Sequence, residues 1–168
     1  MGILWGNVGV SYDIYSDIVW NEKIKVVRTA NQTLANDAAL TGTAVLFPTG
    51  SANEEIGAGG SMHSMSTNTS RLTAVTAGAH IVQGCVNFAP SATNSRAVFV
   101  DKTAFTGGAV TRQFNKAKSG LTGLYVTIDF AFDLQLAAGD YVQMLAAQDS
   151  GGNLDAVAGY TRFSLRRV

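Results

Sequence analysis

Two histidines, His63 and His80, and one cysteine, Cys85, are the side chains here that could activate a nucleophile, ligate a metal or act as a thiol. Hydrolysis through Ser, His and Asp needs an imidazole held between a hydroxyl and an orienting carboxylate. His80 stands in phase with Val82 and Val86, so it reads as a hydrogen-bonded interior residue. His63 sits among Gly, Ser and Met, with Glu54 and Glu55 the closest acids in sequence, and reads as a solvent-exposed loop histidine. Cys85 alternates with Gln83 and Asn87 and reads as a small packing residue on the other strand face. A lone cysteine excludes an intrachain disulfide and a Cys-based zinc site. A calcium loop needs several carboxylates at alternate positions; Asp149 and Asp155 with Asn153 between them are too few, and a turn explains Asp149 to Gly152. Gly57 to Gly60 lacks the lysine and following helix of a phosphate loop. These residues point to no catalytic group, no metal and no cofactor.

The elements that carry them belong to a chain of 168 residues with 12 basic and 12 acidic side chains, only 14% charged and 46% hydrophobic. Soluble domains carry about 25% charged residues, so part of this surface is expected to be covered by something other than water. A zero balance without a Lys/Arg cluster excludes nucleic acid and anionic membrane as electrostatic partners. Leu72 to Ser95 holds no Asp, Glu, Lys or Arg, but Gln83, Asn87 and Pro90 interrupt it, which predicts a buried strand and a loop rather than a membrane span. The start Met1 to Trp5 lacks the charged region of a signal peptide, so a mature N-terminus is expected.

The strongest periodicity runs from Leu124 to Leu136, where Val126, Ile128, Phe130, Phe132 and Leu134 alternate with polar or small residues. A strand puts all of them on one face, whereas a helix would scatter them. Ala137 to Asp140 has turn chemistry, and Tyr141 to Ala147 resumes the alternation with Val142, Met144 and Ala146 in phase, predicting a hairpin. His80 to Phe88 and Tyr160 to Val168 predict further strands, the latter with Phe163 and Leu165 on one side. Ala97 to Val100 and Ala109 to Phe114 read as short strands, and Asn31 to Ala39 as one helical turn. Many short strands between Gly, Asn and Ser turns indicate an all-β antiparallel sandwich or barrel. Arg162, Arg166 and Arg167 are expected to pair internally with the chain's acids.

Residues 1–22 read as a separate arm ahead of a domain at 23–168. Val8, Val10, Tyr12 and Ile14 alternate with small or polar residues between Trp5 and Trp20. Such a strand could add to another subunit's sheet edge or pair with the edge of its own domain.

From Lys23 onward the chain resembles the trimeric jelly roll of the C1q and TNF families, most nearly its bacteriophage versions. The resemblance is carried by Ser66 to Thr73, Thr76 to Val82, Leu136 to Val142, Gln148 to Gly152 and Arg162 to Leu165, in this order and spacing. It departs from the family at His80, where a Tyr is usual, and around Met62 and His63, where the phage versions carry acids. The resemblance implies a sandwich of about ten strands, packed as a homotrimer. Tyr141 and Leu145, opposite Val142 and Met144, and Phe163 and Leu165 are the interface residues expected on that basis. It further implies a non-enzymatic virion protein on the capsid surface or a fibre: a head decoration or cement protein, docked to the major capsid protein or another virion protein by Trp5, Val8, Val10, Tyr12, Ile14 and Trp20. The alternatives are a glycan-recognising fibre tip and a secreted C1q-like binding module.

Overall fold

The computed structural model describes residues 22–48, 52–56, 62–64 and 66–168, and among them twelve β-strands and no helix. In chain order these are β1 (Lys23–Val27), β2 (Gln32–Leu34), β3 (Thr43–Ala44), β4 (Ala52–Ile56), β5 (Arg71–Thr73), β6 (Gly78–Phe88), β7 (Ser91–Thr103), β8 (Thr111–Leu121), β9 (Val126–Leu136), β10 (Tyr141–Gln148), β11 (Leu154–Ala156) and β12 (Arg162–Arg167). The count passes ten because β2, β3, β5 and β11 are pieces of only two or three residues.

All pairings are antiparallel and form two sheets. In the seven-stranded sheet β9 borders β6, whose other side meets β12 and, at Phe88, β11; β12 continues to β1 and β4, and β11 to β2. In the five-stranded sheet β8, β7 and β10 are neighbours, and the far edge of β10 is shared by β3 and β5. The alternation read in the sequence becomes the sandwich interior. Val82, Val86, Ile128, Phe163, Leu165, Ile24 and Val26 from one sheet meet Val98, Val100, Val142, Met144 and Ala146 from the other, all fully buried. Each large apolar side chain so placed contributes about 1.5 to 3 kcal/mol.

Several expectations need correction. Phe163 and Leu165 have zero exposure within one chain, so they are core residues with no surface to offer a neighbour. Leu124 stands outside the alternation, 60% exposed in the turn before β9. Ala97–Val100 and Ala109–Phe114 are fragments of the thirteen-residue β7 and the eleven-residue β8. β8 is almost wholly exposed, so burial imposed no apolar alternation on it. The helical turn at 31–39 is instead β2 and a bend, in which the Asp37 carboxylate accepts the Gly42 N–H (2.8 Å) and the Thr41 hydroxyl (3.0 Å) while Leu40 takes φ 50°. That bend lays Leu40 on Ala97, Phe99, Leu145 and Ala147, forming a second small core outside the main one. The apolar outer face of β7 and β10 is thus covered in part by the chain's own loop.

Glu22, on the arm side of the expected division, is 4% exposed and accepts the backbone N–H groups of Val75 (2.5 Å) and Thr76 (2.8 Å). Trp5, Val8, Val10, Tyr12, Ile14 and Trp20 lie outside the described residues.

The outer edge of β9 is paired with no strand among the described residues. Instead, Lys102, Lys116 and Lys118 donate to the carbonyls of Gln135 (2.8 Å), Asp129 (3.1 Å) and Thr127 (2.8 Å). Ammonium groups seated on edge carbonyls occupy the acceptors another strand would need.

Candidate ligand-binding cleft

His80 is fully buried, with Nδ1 3.0 Å from Gly78 O and Nε2 3.5 Å from the Glu22 carboxylate, the interior role its phase implied. Thr76 gives its hydroxyl to Glu22 rather than to the ring, so that hydroxyl is not aligned for His80 to deprotonate. Cys85 is 4% exposed, its thiol 3.0 Å from Tyr160 O, and burial pushes the thiol pKa up, the opposite of an activated nucleophile. Asp149 and Asp155 do not converge. The first accepts the Ser95 N–H (2.5 Å) and the second accepts Thr33 (2.9 Å) on β2 and Asn31 (3.2 Å) just before it. No cluster of metal-ligating side chains occurs among the described residues. Arg162, Arg166 and Arg167 take no part in the ion pairs His80–Glu22, Lys102–Asp140 and Arg112–Asp101. Arg162 and Arg166 instead stand exposed on the outer face of the seven-stranded sheet.

His63 departs most from its sequence reading. It is 6% exposed, and its Nδ1 and Nε2 each lie 3.0 Å from a carbonyl oxygen, of Arg71 and Phe47. Both acceptors are satisfied together only when both ring nitrogens carry protons. The ring ties the 62–64 segment to the start of β5.

The segment so tied walls a cleft of about 430 Å³ on the outer face of the five-stranded sheet, lined by His63, Ser64, Thr67, Asn68, Arg71, Thr73, Phe105, Gly139 and Tyr141. Its floor follows from strand register. Tyr141 pairs with Thr73, and Arg71, paired with Gln143, is diagonal to it on the same face. The diagonal reach lets the Arg71 guanidinium lie 4.2 Å from the centroid of the Tyr141 ring, a cation–π contact. None of the Arg71 side-chain donors meets an acceptor among the described residues.

The opposite wall is Phe105, 74% exposed. Its ring rests on the bare Cα of Gly139, where a Cβ would stand 2.6 Å from Phe105 Cγ, and its N–H donates to Asp140 Oδ1 at 3.1 Å. Burial alone would raise the Asp140 pKa. Hydrogen bonds from the Ala137 and Phe105 N–H groups and the Lys102 ammonium outweigh that effect and hold it below the ordinary value. The third wall is polar: Ser64 Oγ meets Thr67 Oγ1 and the Thr67 N–H, both at 3.1 Å, and Asn68 takes φ 52° to turn the chain into β5. Among the described lining residues there is no carboxylate. Sequence reasoning placed Tyr141 on this face but missed Arg71 and Phe105 as its companions. Phe105 lies in a Gly-flanked loop without periodicity, and its only signal was a large aromatic between turn residues.

Of the expected interface residues, Tyr141 floors this cleft and Leu145 packs beneath Leu40 beside Phe99.

No family model and no curated protein matches the chain. Solved structures do. Murine APRIL at pH 5.0 superposes with a TM-score of 0.62 at 13% identity, covering 88% of this chain and 99% of that one. The Eiger TNF from S. frugiperda gives 0.63 at 10% identity, covering 88% and 92%. At such identity the likeness is one of fold, and the fold of this chain is the TNF-like jelly roll.

Proposed function

We propose that this chain is a non-enzymatic, homotrimeric structural protein of a bacteriophage virion, a head decoration protein held to the major capsid protein or another virion protein by residues 1–21, Glu22 belonging to the domain. The observation that carries the reading is at β1, which is already paired on both edges, by β12 and β4, with Ile24 and Val26 fully buried. A strand formed by the apolar alternation Val8, Val10, Tyr12 and Ile14 would therefore find no vacant edge beside β1 and would have to pair elsewhere, with another edge of its own domain or, in the proposed reading, with a strand edge on a partner. Trimer formation is what the jelly-roll fold suggests. Sedimentation of the full chain at micromolar concentration tests it, and a monomer overturns it. Deleting residues 1–21 should leave the trimer intact and abolish cosedimentation with capsids; a truncated chain that decorates capsids as well as the full one overturns the docking role.

A second reading, the tip of a fibre that recognises glycans, is favoured by one specific observation: the exposed Phe105 ring and Arg71 line one cleft with the polar side chains of Ser64, Thr67 and Asn68.

A further inference from the structure

Three groups that make no hydrogen bond through their side chains among the described residues converge on the cleft: the guanidinium of Arg71, the amide of Asn68 and the open face of Phe105. An aromatic side chain left 74% in water gains little for the fold, and a guanidinium held 4.2 Å from the Tyr141 centroid with no acceptor among the described residues is pre-organised to meet a ligand. A volume of about 430 Å³ is in the range of small-molecule sites.

The chemistry narrows the occupant. A pyranose offers an apolar C–H face to an aromatic ring and a rim of hydroxyls to amide and hydroxyl partners such as Asn68 and Thr67. A single fixed arginine with no carboxylate among the described lining residues favours an anion, and the planar guanidinium fork matches a carboxylate. A phosphate chain would need several cations, and the described lining supplies only Arg71 and, when protonated, His63.

We propose that this cleft binds a saccharide whose pyranose ring carries a carboxylate, with Phe105 as the stacking face, Arg71 as the carboxylate's partner and Tyr141 as the residue that positions Arg71. The proposal deepens the second, glycan-recognising reading and rests on it, but it requires neither trimer nor capsid.

The test is calorimetric titration of the full chain at physiological salt with oligogalacturonate, oligoguluronate, hyaluronan hexasaccharide and sialyllactose. Maltohexaose serves as the neutral control and a hexaglutamate peptide as the non-sugar anion. At least one acidic saccharide should bind, and Phe105→Ala and Arg71→Gln should each weaken it by about tenfold or more. Phe105 is exposed, so its variant reports on the site even where Arg71→Gln disturbs β5. Tyr141→Leu, by releasing Arg71, should weaken the acidic sugar, and Tyr141→Phe, which keeps the ring beneath the guanidinium, should retain most of that affinity. The proposal is overturned by no binding of any acidic saccharide, by binding that Phe105→Ala leaves unchanged, by equal binding of maltohexaose, or by equal binding of hexaglutamate. Sedimentation of the same samples separates the two levels. A trimer that binds no sugar defeats this inference alone, and a monomer that binds defeats the trimer alone.

Discussion

Gly84 lies opposite Phe130 in the β6–β9 ladder and opposite Phe163 in the β6–β12 ladder, and the Phe130 ring closes over its bare Cα. A Cβ at Gly84 would stand 2.8 Å from Phe130 Cζ and 2.7 Å from Arg162 O. The ring can turn aside but the carbonyl belongs to a paired strand. Gly84→Ala should therefore lower unfolding free energy by about 1 to 3 kcal/mol, the range for forcing extra atoms into a filled core. Urea denaturation checks it; an unchanged midpoint would mean that β12 gives way freely.

Asp140 gives a pH-dependent outcome. Its carboxylate pKa is held below the ordinary 3.8, so its charge stabilises the folded chain above that pH, and the contribution fades as pH falls through the depressed folded value. Asp140→Asn keeps the shape and loses the charge. At pH 7 it should cost about 1 to 3 kcal/mol, through weaker bonds to the Ala137 and Phe105 N–H groups and loss of the Lys102 pair. The gap to wild type should close below pH 3.8; a gap that stays constant into acid would assign the effect to packing.

The lysines on β9 make a prediction about association. Lys116→Ala with Lys118→Ala frees the Asp129 and Thr127 carbonyls, and the double variant should aggregate faster on mild heating, as light scattering would record. Arg162→Ala with Arg166→Ala removes the same charge from the outer sheet face and serves as control. Equal aggregation of the two pairs would attribute the effect to net charge rather than to the edge.

The Asp149 and Asp155 carboxylates are engaged by Ser95, Thr33 and Asn31 rather than by one another. Melting temperature should accordingly be unmoved by EDTA. A fall on the order of 10 °C that calcium reverses would show an ion in that region after all.

Strands whose two faces see different solvents were legible without coordinates. β6, β9 and β10 write the core-facing set at every second residue, and the fold class follows from them. β8 was legible only in part, because an exposed edge strand places no apolar demand on alternate positions. For β12 the face was read correctly but not what covers it. Phe163 and Leu165 alternate just as interface residues would, and only the second sheet lying over them assigns them to the chain's own core.

What the sequence determined by itself was local: periodicity, turns, and the scarcity of groups able to do chemistry. The cleft is a matter of tertiary structure. Arg71 reaches Tyr141 because β5 and β10 pair in one register, and a shift of one residue would send Arg71 to the opposite face. Phe105 and His63 join them through the bare Cα of Gly139 and the carbonyls of Phe47 and Arg71, contacts between residues that are not neighbours in sequence. Local composition carries no record of which distant backbone atom a side chain will meet, since that is set by how the two sheets and their loops close together.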